Sequence, residues 1–302
     1  MPEPFTIRKS AAFARTANLL RRALPVALAV CGLIFCASGQ QPKPGEAAPA
    51  PDLATNPPPR VMPINTNLPT IFVAGDSTAA RGSGATQQGW AVPFADYFGR
   101  AKVNVVNRAR GGRSSRTFIT EGLWEQLLAD LKAGDMVLIQ FGHNDAGAVN
   151  DAARARGSIR GTGGETEEID NLITKKHEVV HTFGWYLNKM IADTKAKGAT
   201  PIVLSLTVRN IWKDGKIFRS KDSHAGWAEQ VAGTEGVAFV DLNELSAQRY
   251  DELGREKVEP LFADEHTQTS AAGAELNAQC VIAGLKALKG NPLALYLRET
   301  KP

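Results

Sequence analysis

A chain of 302 residues, 43% hydrophobic and 22% charged, is long enough to bury a large core and has the composition of an ordinary globular protein. Its net charge of +4 sits at the N-terminus: residues 1–39 hold Arg8, Lys9, Arg15, Arg21 and Arg22 against Glu3, which leaves 30 basic and 30 acidic residues beyond. A balanced body has no excess positive field for a polyanion, so nucleic acid is excluded as an expected partner.

In chain order, the first feature reads as an export leader over residues 1–39. Its basic stretch precedes the apolar run from Leu24 to Cys36 and ends in the small residues Ala37, Ser38 and Gly39. The run falls short of the roughly 20 apolar residues that span a bilayer, so a signal peptide is expected, with no stable membrane insertion after cleavage and a secreted or periplasmic location. An uncleaved anchor is the alternative. Cys31 and Cys36 lie inside the leader, so Cys280 has no partner in the expected mature chain and reads as a buried thiol. Residues 40–69 are rich in Pro and Ala without apolar periodicity, the pattern of a disordered linker. One domain is expected over 70–302.

Five short runs of branched or large apolar residues follow, at 71–75, 103–107, 136–141, 201–206 and 237–242. Helix-like stretches separate them. The clearest spans about 175–195, with Val180, Phe183, Leu187 and Ile191 at helical spacing. Such alternation predicts right-handed crossovers and a parallel sheet of about five strands covered on both faces, a three-layer α/β/α domain. Ligands bind such sheets beyond the carboxyl ends of the strands.

Three polar blocks stand at those ends. The first run leads into Gly75-Asp76-Ser77-Thr78-Ala79, where a serine can project above the sheet ahead of a helix. Alone, Ser77 reads equally well as a helix N-cap, and Ala79 breaks the G-x-S-x-G elbow. The second run leads into Arg110-Gly111-Gly112-Arg113-Ser114, whose paired glycines let backbone N–H groups approach a ligand. The third ends in Gln140-Phe141-Gly142-His143-Asn144-Asp145, where the Asn144 amide can donate to developing negative charge.

Together and in this order, these blocks resemble the SGNH hydrolases, and more narrowly the rhamnogalacturonan acetylesterases. The narrower likeness rests on GDSTAA with Trp90 downstream, GGRSSRTF at 111–118, QFGHND at 140–145, GETEEIDN at 164–171 and TSAAGAE at 269–275. It covers about residues 70–290. It implies the SGNH form of a flavodoxin-like sheet, a serine nucleophile at Ser77, and oxyanion donors from the Ser77 and Gly112 N–H groups and the Asn144 side chain. Arg113, Asp145 and Gln268 are placed as substrate-binding residues. The implied activity is removal of acetyl groups from an extracellular polysaccharide, most simply pectic rhamnogalacturonan, and it needs no cofactor. Oligomeric state is not legible.

The resemblance breaks at its last block. Counting back from Gly273 puts the family's catalytic His at Gln268 and its acidic partner at Glu265. A glutamine has no protonation equilibrium near neutral pH and is no general base. Three readings stay open: His266 serves instead, oriented by Asp264 or Glu265; another His such as His181 reaches the site; or the protein is a weakened or non-catalytic carbohydrate-binding relative. A rival signal is His177-Glu178-Val179-Val180-His181, a formal H-E-x-x-H zinc motif on an expected helix. Its extended form needs a third ligand at Leu187, so a zinc hydrolase is the weaker alternative and no metal residues are assigned. Trp185, Trp212 and Trp227 are candidate sugar-stacking platforms or packing residues, and Arg110, Arg113 and Arg116 suit an acidic polymer.

Overall fold

The apolar runs become strands in the computed structural model, which describes residues 64–83 and 86–298. They are β1 (Thr70–Gly75), β2 (Asn104–Asn107) and β3 (Met136–Gln140), followed by a hairpin of β4 (Thr166–Asp170) and β5 (His177–His181). After β6 (Thr200–Leu204), a small hairpin of β7 (Trp212–Lys213) and β8 (Lys216–Ile217) precedes β9 (Ala238–Val240). The central sheet is parallel throughout, in the order β2-β1-β3-β6-β9, the flavodoxin-like form that the family resemblance implies. Helices α1 (Ala91–Phe94), α2 (Ser115–Thr120), α3 (Leu123–Asp130), α4 (Phe183–Ala196), α5 (His224–Glu235), α6 (Leu242–Leu253), α7 (Arg255–Val258) and α8 (Ala271–Ala287) supply the outer layers.

Strand alternation sorts the core into two sides. Ile71 and Val73 of β1 face Trp90, Phe94 of α1, Leu242 of α6 and Val281 and Leu285 of α8. Phe72 and Ala74 face Phe118 of α2, Leu127 of α3, Leu187 and Ile191 of α4 and Val231 of α5. Each such side chain stabilises the fold by about 1.5–3 kcal/mol on burial, so both faces are covered. Cys280 is buried within α8, and burial pushes its thiol up to about 12, an inert group.

Two expectations change. The helix expected over 175–195 begins at Phe183: residues 177–181 are instead a strand, and Thr182 caps α4 by accepting the Trp185 N–H at 3.1 Å. Val180 is buried from the strand and Phe183, Leu187 and Ile191 from the helix, so one apparent helical stripe crosses two elements. The end of the expected linker lies against the domain: Asn65 and Asn104 exchange hydrogen bonds at 3.0 Å each, and Lys132 donates to the Thr66 carbonyl. The expected leader and the rest of the linker lie outside the described residues.

Candidate active site

Beyond β1 the chain turns on itself. Asp76 Oδ1 accepts the Thr78 N–H at 2.9 Å and its hydroxyl at 2.8 Å, while Ala80 N–H donates to the Asp76 carbonyl at 3.0 Å. This tight turn replaces the helix expected directly after Ser77; the next helix is α1, at Ala91. Asp76 is fully buried, and that burial pushes its carboxyl up to about 6. Ser77 is left half-buried at the mouth of a groove of about 1080 Å³, shared with Gly112, Asn144, Arg156, His266 and Gln268. The groove lies where the strand order reverses between β1 and β3, the place such sheets use for ligands.

The turn after β2 arrives beside it. Gly112 has φ +78, a conformation that favours glycine, and neither its N–H nor that of Ser77 has an acceptor among the described residues. Asn144, after β3, is buried and donates one amide hydrogen to the Arg113 carbonyl at 2.8 Å. Ser77, Gly112 and Asn144, far apart in sequence, are thus brought to line the same groove.

Asp264, His266, Thr267 and Gln268 line the same groove. Gln268 Nε2 donates to Ser77 Oγ at 2.9 Å, so the glutamine stands against the serine, where the resemblance puts the catalytic imidazole. Asp264 Oδ1 accepts the consecutive N–H groups of His266, Thr267 and Gln268, which shapes the loop and leaves this carboxylate oxygen no role in orienting a ring. Glu265 is exposed and has no hydrogen-bond partner among the described residues. His266 lines the groove but pairs through Nδ1 with Thr267 Oγ1 at 2.5 Å, so the expected pairing of His266 with Ser77 and an acid is not made in this arrangement.

Other expected substrate residues are committed elsewhere. Arg113 Nε donates to Glu121 at 2.7 Å and its Nη1 to the Gly111 carbonyl at 3.0 Å, stiffening the glycine turn. Asp145 points into the protein, accepting from the Ser115 N–H at 3.1 Å, from the Ser115 hydroxyl and from Ser158 Oγ at 3.1 Å. Burial raises its carboxyl to about 6. Arg116 is fully buried, held by Glu178 at 2.7 and 2.6 Å and by the carbonyls of Val149 and Gly157 at 2.7 Å. Trp212 bonds Asn210 at 2.8 Å, Trp227 lies under Arg160, and Trp185 stacks on His181 at 3.7 Å.

The zinc reading fails on geometry. Residues 177–181 are a strand paired with β4, and Glu178, the would-be base, lies on the opposite strand face from both histidines. Burial pushes the Glu178 carboxyl up, but bonds from Arg116 and Asn171 outweigh it and hold the group below its usual value. Arg156 and His143 are among the groove residues that sequence reasoning missed. Arg156 reaches the Gly112 carbonyl at 2.9 Å. His143 borders the groove against Thr207 at 3.1 Å, and burial lowers its imidazole to about 3, too weak a base to serve at neutral pH.

Residues 73–275 match the model of the GDSL-like lipase/acylhydrolase family. A rhamnogalacturonan acetylesterase of Emericella nidulans is 35% identical over 75% of this chain and 87% of its own length. A probable rhamnogalacturonan acetylesterase of Bacillus subtilis, YesY, is 30% identical over 74% of this chain and 94% of its own. Among solved structures, protein YxiM of Bacillus subtilis superposes with a TM-score of 0.59 at 26% identity, over 72% of this chain and 56% of that chain. A mutant of Axe2, an acetyl-xylooligosaccharide esterase from Geobacillus Stearmophilus, shares the fold with a TM-score of 0.51 at 15% identity, over 77% of this chain and 97% of that chain.

Proposed function

This chain belongs to the GDSL-like lipase/acylhydrolase family, and we propose that it is an exported serine esterase that removes acetyl groups from a plant cell-wall polysaccharide of the rhamnogalacturonan class. The presence of Ser77, Gly112 and Asn144 in the lining of one groove carries the proposal. The relatives named above support the substrate class. So do Arg110, Arg154 and Arg209, which line the groove without a carboxylate partner among the described residues and suit a uronate-containing polymer. The basic and apolar leader supports export.

In the proposed reaction Ser77 Oγ adds to the acetyl carbonyl carbon, and the carbonyl electron pair moves onto oxygen. That oxyanion is received by the Ser77 and Gly112 N–H groups and the free Asn144 amide hydrogen. A base takes the serine proton and returns it to the sugar oxygen as the C–O bond breaks. Water then adds to the acetyl-serine, releasing acetate and regenerating Ser77. Gln268 cannot be that base. His266 is the candidate, because it lines the same groove two residues from Gln268 and its Nε2 has no hydrogen-bond partner among the described residues.

The bond from Gln268 to Ser77 favours a second reading, a carbohydrate-binding relative that has lost turnover. Acetate release from acetylated rhamnogalacturonan, alongside hydrolysis of an aryl acetate, separates the two. The esterase reading expects both activities in the wild type and their loss in Ser77→Ala. Retained polysaccharide binding with no acetate release from either protein establishes the binding reading instead.

A further inference from the structure

The Gly112 N–H can serve an oxyanion only if its peptide is held in one orientation, and the side chain closest to that task comes from a loop distant in sequence. Arg156 Nη1 donates to the Gly112 carbonyl at 2.9 Å, and the same nitrogen stands 3.4 Å from where a Cβ at position 112 would lie. The neighbouring carbonyls are held too: Gly111 by Arg113 Nη1 at 3.0 Å and Arg113 by Asn144 Nδ2 at 2.8 Å. Three successive carbonyls therefore point at protein donors, while the N–H groups of Gly111 and Gly112 have no acceptor among the described residues and both glycines line the groove. Successive free N–H groups of this kind form an anion-binding nest.

The loop that delivers Arg156 is strained and tied on both sides. Asp151 Oδ1 accepts the N–H groups of Ala153, Arg154 and Ala155 at 2.9, 2.5 and 3.0 Å. Ala155 is buried with φ +40, an unfavourable conformation for a residue bearing a Cβ, and it immediately precedes the arginine. Gly157 follows it, where a Cβ would lie 2.0 Å from the Gly147 carbonyl oxygen. The buried Arg116 holds the Gly157 carbonyl at 2.7 Å, and Ser158 is anchored on Asp145 at 3.1 Å. Backbone strain flanking one half-exposed guanidinium, whose Nη1 bonds the glycine turn, is hard to explain by loop packing alone.

We propose that Arg156 is a positioning residue of the ester-cleaving site, fixing the glycine turn so that the Gly112 N–H meets the oxyanion. The proposal rests on the esterase reading above. It predicts that Arg156→Ala lowers kcat for a small aryl acetate about 10- to 100-fold, less than the roughly 10²–10³ lost with an oxyanion donor itself. KM stays within about twofold, because the donor acts mainly on the transition state. Arg156→Lys, which keeps a charged donor, recovers most of kcat. A kcat for Arg156→Ala equal to wild type overturns the proposal, as does a loss that follows the melting temperature and is not rescued by Lys. Ser77→Ala run beside them tells whether the turnover belongs to Ser77; if it does not, the esterase reading fails separately. The turn itself is then read by amide hydrogen exchange at residues 111–113, expected to quicken in Arg156→Ala. An unchanged exchange rate sinks the positioning role whatever the activity.

Discussion

Replacing Gln268 with His puts a titratable ring on the hydroxyl that the glutamine already touches. Nε2 is separated from Cβ by the same number of bonds in both side chains, and in Gln268 it lies 2.9 Å from Ser77 Oγ. A neutral imidazole accepts the serine proton there, whereas the amide nitrogen can only donate. General-base help of this kind contributes about 10²–10⁴-fold. The lower half of that range is expected, because the new ring needs an acceptor for its other N–H. Asp264 Oδ1 is occupied by three loop amides, which leaves its Oδ2 or the exposed Glu265 to reorder and provide one. The assay is kcat/KM on an aryl acetate from pH 5 to 9. The gain should be full above the imidazole pKa, about 6.5, and should vanish as the pH falls through it, since the protonated ring accepts nothing. His266→Ala should then cost the wild type more than it costs Gln268→His. A Gln268→His protein no more active than wild type across this range refutes the reasoning, because the missing base would not then be what limits Ser77.

Two further predictions concern the scaffold under the site. Arg116→Met leaves Glu178 and the carbonyls of Val149 and Gly157 without their buried donor, and should cost about 3–5 kcal/mol, seen as a melting-temperature drop on the order of 10 °C. A drop of only a degree or two would show that water or Asn171 replaces the guanidinium easily. Burial holds Asp145 at about 6 in the folded protein against roughly 3.9 unfolded, so between those values the folded state keeps a proton the unfolded chain has lost. Stability from this group therefore rises as pH falls from about 6 to 4. Asp145→Asn should flatten the profile of unfolding free energy in urea by up to about 1.4 kcal/mol per pH unit in that window, and an unchanged slope would place the titration elsewhere.

How much of this was legible follows from what each segment buries. The inner strands β1, β3 and β6 are covered on both faces, so they appear as nearly unbroken apolar runs such as TIFVAG, where every residue is buried. β4 and β5 bury one side chain each, Ile169 and Val180, and a two-residue signal is easily absorbed into a neighbouring helical stripe. Ser77, Gly112 and Asn144 each have an ordinary structural use alone, and the sequence singles them out only through the three strand-end blocks taken together; the structure brings all three to one groove. Asp145 and Arg113 stand one residue from those positions and bond Ser115 and Glu121, since sequence shows that a polar residue follows a strand but not which partners hold its side chain. Arg156 gave no signal at all, because its role exists only through a contact 44 residues away in sequence. Gln268 is the instructive case. The sequence marks it as a departure, and the structure places the departure on the serine itself. With its nitrogen toward Ser77, the amide occupies an Oγ lone pair; turned over, its oxygen would bind the hydroxyl proton without being able to take it. Neither orientation makes a base, so proton transfer from Ser77 must go to another group, and His266, two residues away in the loop that Asp264 shapes, lines the same groove.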